Sequence, residues 1–143
     1  MTPAAERFPY LQVDPKAGAA SLSPYLPIQW MFGENRVSAA GLVDSGSAIN
    51  VLPYDVGRRL GATWEHQTTP VQLTGNLAAS EARVLVVSAT VGKRPPVRLA
   101  FAWTRADSVP VILGQINFFL EFDVCFFRSR KEFEIKARSG GGS

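Results

Sequence analysis

The chain is poor in the residues on which many catalytic and binding chemistries rely. Among 143 residues there is one cysteine, Cys125, and one histidine, His66. A single cysteine excludes an internal disulfide. Cys125 lies in the apolar run "DVCFF" and is expected to pack as a small hydrophobe rather than react. One histidine without clustered cysteine or acidic residues makes no zinc site, and His66, in the polar stretch "WEHQTT", is expected at the surface. Charge of one sign is scarce as well. The net charge is only +3, and the basic residues (Arg58-Arg59, Lys93-Arg94, Arg128, Arg130-Lys131) are scattered, so nucleic acid is not an expected partner. No apolar run approaches membrane-spanning length, and the first twenty residues lack an apolar segment behind a basic start. These absences lead to the expectation of a soluble, cytoplasmic protein with no membrane partner. There is also no internal repeat, and no second copy of the triplet Asp44-Ser45-Gly46.

What remains is enough for one domain with a modest core. An apolar fraction of 46% accompanied by ten prolines and twelve glycines describes a turn-rich globular chain. Residues 1–24, rich in Pro, Ala and Gly, read as an extended or mobile arm, 25–137 as the folded domain, and 138–143, ending in "SGGGS", as a flexible tail. From Pro27 the pattern is strand, turn, strand: "PIQWMF", "GENR", "VSAAGLVD". The segment "LPYDVGRRLG" spaces Val56 and Leu60 as a short helix, with Gly61 where a C-terminal cap belongs. Residues 70–92 predict a long hairpin with its tip near Gly75 to Ser80. In "VRLAFAW", Val97, Leu99, Phe101 and Trp103 alternate with Arg98, Ala100 and Ala102, the period of a strand. "VPVILG" is an apolar strand stopped by Gly114, "QINFFLEF" has room for one or two helical turns, and "DVCFF" with "KEFEI" makes a last hairpin. Short strands at close intervals predict an all-β class, a small barrel or sandwich. The aromatics Phe118, Phe119, Phe122, Phe126 and Phe127 are expected in core or interface packing.

Within this pattern the segment "GLVDSGSAINVLP" raises a question, because Asp44 ends an apolar run where an unpaired carboxylate is costly to bury. It either caps the loop that follows through its side chain or has a chemical use. Ser45 as a nucleophile has no histidine partner. Asp107 in "RADS" and Asp123 in "EFDV" read as a loop residue and a strand-start residue.

The Asp44-Ser45-Gly46 triplet after an apolar strand, joined to Ile112-Leu113-Gly114 before a short helix, resembles the retroviral-type aspartic proteases, the retropepsins. The likeness runs from about Pro27 to Ile135, and "LGQINFFLEFDV" is especially similar to bacterial single-domain members. The resemblance implies a small closed β barrel with one or two short helices that works as an obligate homodimer. It implies an endopeptidase that cleaves extended, apolar-flanked peptides with a water activated between Asp44 and its symmetry mate, without metal or organic cofactor. It assigns Ser45 to bracing across the dimer, Gly46 to letting a substrate backbone approach, and Gly114 to close packing beneath the catalytic loop. Ala48, Leu73, Thr74, Gly75, Asn76, Leu77 and Ile112 fall where the family binds substrate, with a flap over Leu73 to Ala79. Two features depart from the viral pattern. An acidic residue two positions after the triplet's glycine and a basic one after the late glycine are replaced together by Ala48 and Gln115, which suggests a differently braced dimer. The flap tip carries "GNLAAS" instead of a run of glycines. The rival implication is a non-catalytic peptide-binding or dimerisation module on the same fold; a small-ligand β barrel is a third reading and would be a stable monomer with an enclosed pocket.

Overall fold

The computed structural model describes residues 5–12, 22–106 and 108–138. Its strands are β1 (Glu6–Pro9), β2 (Leu11–Gln12), β3 (Leu22–Ser23), β4 (Tyr25–Phe32), β5 (Asn35–Val43), β6 (Asn50–Leu52), β7 (Ala82–Thr90), β8 (Val97–Thr104), β9 (Val111–Leu113), β10 (Phe122–Phe127) and β11 (Glu132–Ala137). The helices α1 (Tyr54–Arg59) and α2 (Phe118–Glu121) are short. Six strands close a barrel in the order β4-β5-β9-β6-β8-β7. None of the described helices is long and apolar enough to cross a membrane.

Alternation builds the barrel. In β4, Leu26, Ile28 and Trp30 are buried while Pro27 and Gln29 are exposed. Leu99, Phe101 and Trp103 of β8 and Leu85, Val87 and Ala89 of β7 meet them in one core. Trp30 and Phe101 pack edge to face with centroids 5.3 Å apart. Both buried indoles on these strands satisfy their N–H, Trp30 to the Ala39 carbonyl at 3.2 Å and Trp103 to the Tyr54 carbonyl at 3.1 Å. Truncating Phe101 to alanine in such a core costs about 3–5 kcal/mol. Helix α1 ends as the spacing predicts, at Gly61, whose φ of 84° suits a residue without a Cβ.

The topology also explains where the Asp-Ser-Gly turn sits. β5 and β9 run parallel, with Val43 opposite Leu113. The residues that leave these strands, Asp44 and Gly114, therefore emerge side by side although they lie far apart in sequence.

Beyond the barrel, β1-β11-β10 form a second sheet. Within the stretch read as an arm, β1 lies antiparallel to β11, Phe8 stacks on Phe133 at 5.6 Å, and Tyr10 is buried. Glu6 pairs with the buried guanidinium of Arg94, whose Nη2 also donates to the Ile135 carbonyl at 2.9 Å. Residues 1–4 and 13–21 of that stretch, and 139–143 of the tail, lie outside the described residues, as does Asp107. Two local expectations change. Cys125 is exposed, because β10 is the outer strand of its sheet and this position faces away from the core. The hairpin of residues 70–92 has only one regular arm, β7. Opposite it the chain makes a single bridge, Pro70 to Arg83, and then turns through a 3₁₀ segment at Gly75–Leu77. Proline lacks the N–H to continue a ladder, which accounts for the loss of register there.

Candidate active site

The turn after β5 is held by hydrogen bonds from three directions. The Asp44 N–H donates to the Leu113 carbonyl at 3.0 Å, and the Asp44 carbonyl accepts from Ser47 N–H at 3.1 Å. The Gly46 N–H donates to Asp44 Oδ1 at 2.9 Å. Asp44 is thus a half-buried carboxylate that takes a main-chain donor while the residues just beyond it, Ser45 and Gly46, are exposed. A Cβ on Gly46 would stand 3.3 Å from Asp44 Oδ1, so glycine here leaves the approach to that oxygen clear. The Ser45 hydroxyl has no partner among the described residues.

Gly114 lies directly under this turn. A Cβ there would come within 2.7 Å of the Ser47 carbonyl oxygen and the Ile49 carbonyl carbon, both backbone atoms that cannot swing aside. The next residues lace the two loops together. Gln115 N–H donates to Ser47 O at 2.8 Å, Ile116 N–H to Ala48 O at 3.0 Å, and Asn50 N–H to Ile116 O at 2.9 Å. The Gln115 side chain adds a bond from Nε2 to the Ser45 carbonyl at 2.8 Å. Gln115 therefore makes a neutral contact within its own chain at the position where the viral pattern has a base, and Ala48 is exposed.

The residue that organises the floor of the site is Asn50, which sequence reasoning passed over. It is fully buried. Its Oδ1 accepts the Gly114 N–H at 2.8 Å, and its Nδ2 donates to the Ala100 carbonyl at 3.0 Å and to Asn117 Oδ1 at 3.1 Å. Asn117 Oδ1 in turn accepts the Ala100 N–H at 3.0 Å. One amide pair thus ties β6, β8 and the loop after β9 together, with its polar atoms matched as burial requires. The available signal was a lone amide inside the apolar run "AINVLP".

Of the residues assigned to substrate binding, Ala48 lies in the loop after the Asp44 turn, and the other six divide into two groups. Leu73, Leu77 and Ile112 share a small apolar cluster with Val51, Ala82 and Ala102, which seats the segment that turns through Gly75–Leu77. Thr74, Gly75 and Asn76 are exposed at its tip. An open groove of about 750 Å³ runs along the same segment, lined by Glu65, Thr68, Val71, Gln72, Ala78 and Arg83 among others. It includes none of the residues of the Asp44 turn. His66 is exposed in a 3₁₀ turn, and Asp123 stands within β10, outside the turn.

A carboxylate at the end of a barrel strand, set beside a glycine that touches its turn from below, is an acid-protease arrangement, and the sequence comparison agrees. Residues 29–116 match the family model described as aspartyl protease. The chain belongs to the aspartyl protease family. Among solved structures, it is similar to a retropepsin-like aspartic protease from Rickettsia conorii, with 15% identity, a TM-score of 0.58, and coverage of 93% of this chain and 91% of that one. It is less similar to EIAV protease in complex with the inhibitor HBY-793, at 20% identity and a TM-score of 0.47, over 65% of this chain and 82% of the other. A search of curated proteins gave no match. The barrel of this aspartyl protease family member is retropepsin-like, as its triplet and late glycine imply.

Proposed function

We propose that the protein is an aspartic endopeptidase that hydrolyses extended peptides with apolar residues around the scissile bond, using Asp44 from each of two identical chains. The observation that carries this reading is the place of Asp44, a half-buried carboxylate at the end of β5 beside Gly114, within residues that match the aspartyl protease model. Its bond from the Gly46 N–H orients the group and by itself would be an ordinary loop cap. An aspartic mechanism needs two such groups, and the chain has one Asp-Ser-Gly triplet. A second copy supplies the other across a two-fold axis.

In the pair, carboxylates about 3 Å apart share one proton because both cannot ionise together. The ionised member takes a proton from the water between them as the water attacks the scissile carbonyl carbon. The protonated member donates to the carbonyl oxygen. Collapse of the tetrahedral intermediate passes a proton to the departing amine and restores the shared proton. Exposed apolar residues support a partner on this face: Ile116, bridged to Ile49 beside the turn, is 58% exposed, and Leu120 on α2 is 56% exposed. The free Ser45 hydroxyl suits a bond to the second copy. The cluster of Leu73, Leu77 and Ile112 supports an apolar substrate flank, and the loosely held segment from Leu73 to Ala79 suits a flap that closes over the peptide.

The test exploits stoichiometry. Wild-type and Asp44→Asn chains, unfolded and refolded together in equal amounts, give about a quarter wild-type dimers by random pairing. Peptide cleavage is expected at about half the level of the same wild-type chains refolded alone, with Asp44→Asn alone inactive yet folded. Activity proportional to the number of wild-type chains, or retained by the pure mutant, overturns the dyad. A folded dimer that cleaves no member of a peptide library points instead to a peptide-binding module.

A further inference from the structure

We infer that Gln115 is a positioning residue that fixes the Ser45–Gly46 peptide unit and, through that unit, the hydrogen bond on the Asp44 carboxylate; its consequence for rate rests on the aspartic reading above. The Ser45 carbonyl and the Gly46 N–H belong to one planar amide. Gln115 Nε2 donates to the carbonyl end at 2.8 Å, while the N–H end donates to Asp44 Oδ1 at 2.9 Å. A rotation of the unit that turned its N–H away from Asp44 would also carry its oxygen away from Gln115. The two bonds are therefore made and lost together.

Gln115 is itself anchored. Its backbone N–H donates to Ser47 O at 2.8 Å, on the far side of the same turn. One residue thus grips the turn at two carbonyls, one on either side of Gly46. Donation to the amide oxygen also polarises the amide and strengthens its N–H as a donor. The choice of side chain follows. Glutamine reaches the carbonyl with a donor and brings no charge next to a pair that must hold a single negative charge between two carboxyls. A methionine has similar length and lacks the donor, a glutamate turns the donor into an acceptor facing an oxygen, and a lysine restores a donor.

The discriminating measurement is the Gly46 amide, followed by NMR in ¹⁵N-labelled protein at fixed pH, alongside peptide kinetics. In Gln115→Met, Gly46 is expected to exchange with water about fivefold faster, and its proton resonance to shift upfield, the loss that one neutral hydrogen bond represents. Gln115→Glu should do the same or more, and Gln115→Lys should return both values toward wild type. kcat is expected to fall roughly five- to tenfold in Gln115→Met with KM within about twofold, since the substrate contacts are untouched. A Gly46 amide unchanged in both Gln115→Met and Gln115→Glu overturns the inference, as does an altered amide with unchanged kcat. If the wild-type protein cleaves no peptide, the dyad reading fails separately, and Gly46 exchange alone decides whether Gln115 holds the peptide unit. Lysine failing where methionine fails would assign the effect to packing and also overturn it.

Discussion

Two segments on the same side of the barrel differ in how their backbones are held. Between Asp44 and Asn50, the N–H groups of Asp44, Gly46, Ser47 and Asn50 and the carbonyls of Asp44, Ser45, Ser47, Ala48 and Ile49 all have partners. Those partners come from the neighbouring loop as well as from the turn itself. From Gln72 to Ser80 the bonds among described residues close within the segment: Leu77 N–H to Thr74, Ser80 N–H to Leu77, and the Gln72 amide to the carbonyls of Leu73 and Ala78. Among the described residues, the buried side chain of Leu73 and the partly buried one of Leu77 are what seat this stretch on the barrel. A segment closed on itself can move as a unit without breaking its own bonds, whereas one cross-braced to its neighbours cannot. Such a division suits an enzyme that must keep an acid in place while admitting a chain.

The contrast is most severely tested at Gly114. Gly114→Ala puts a methyl into the Ser47 and Ile49 backbone, and the turn must shift to make room. Stability is expected to fall by more than about 3 kcal/mol, with loss of nearly all peptide cleavage, as read by urea denaturation and initial rates. An active, stable Gly114→Ala protein would mean that the turn is not braced from below.

Asn50→Ala comes next. It leaves the buried Gly114 N–H and Ala100 carbonyl without their partner, at a cost of about 2–4 kcal/mol in the same denaturation experiment. A loss under about 0.5 kcal/mol would show that water replaces the amide and that the floor of the site is wet.

How much of this was legible in the sequence depends on the range of the interaction. Alternation in β4 and β8 is local, and so is the glycine that ends α1, so these elements follow from spacing. The triplet and the late glycine are legible because their chemistry demands particular residue types. The Asn50–Asn117 pair is not, since two amides far apart in the chain become partners only once β6, β8 and the loop after β9 are assembled. Gln115 is visible as a departure from the viral pattern, but its bond to Ser45 is a matter of three-dimensional geometry. The composition of the first residues concealed β1, whose partner strand lies at the other end of the chain. Cys125 shows the reverse error, in which an apolar neighbourhood in sequence stands on the outer strand of a sheet.

The smallest effect is expected in the segment from Gln72 to Ser80. Gln72→Ala removes one exposed and one partly buried hydrogen bond and should change stability by less than about 1 kcal/mol, yet raise KM about two- to fivefold as the loop loses its closed shape. Equal KM values for mutant and wild type would mean that this amide does not shape the segment proposed to close over the peptide.

The pairing of β1 with β11 bears on the order of assembly. Arg7 and Glu132, joined across that pair, are 125 positions apart. The barrel can begin from near neighbours, with β4 against β5 and β7 against β8 through short turns, and such local contacts form early. β1 has no such option. As the chain leaves the ribosome, Phe8 and Tyr10 must wait in water until Phe133 has been synthesised, and closing so long a loop is the costliest pairing in entropy. Of the described strands, the earliest in the chain is thus the last to dock.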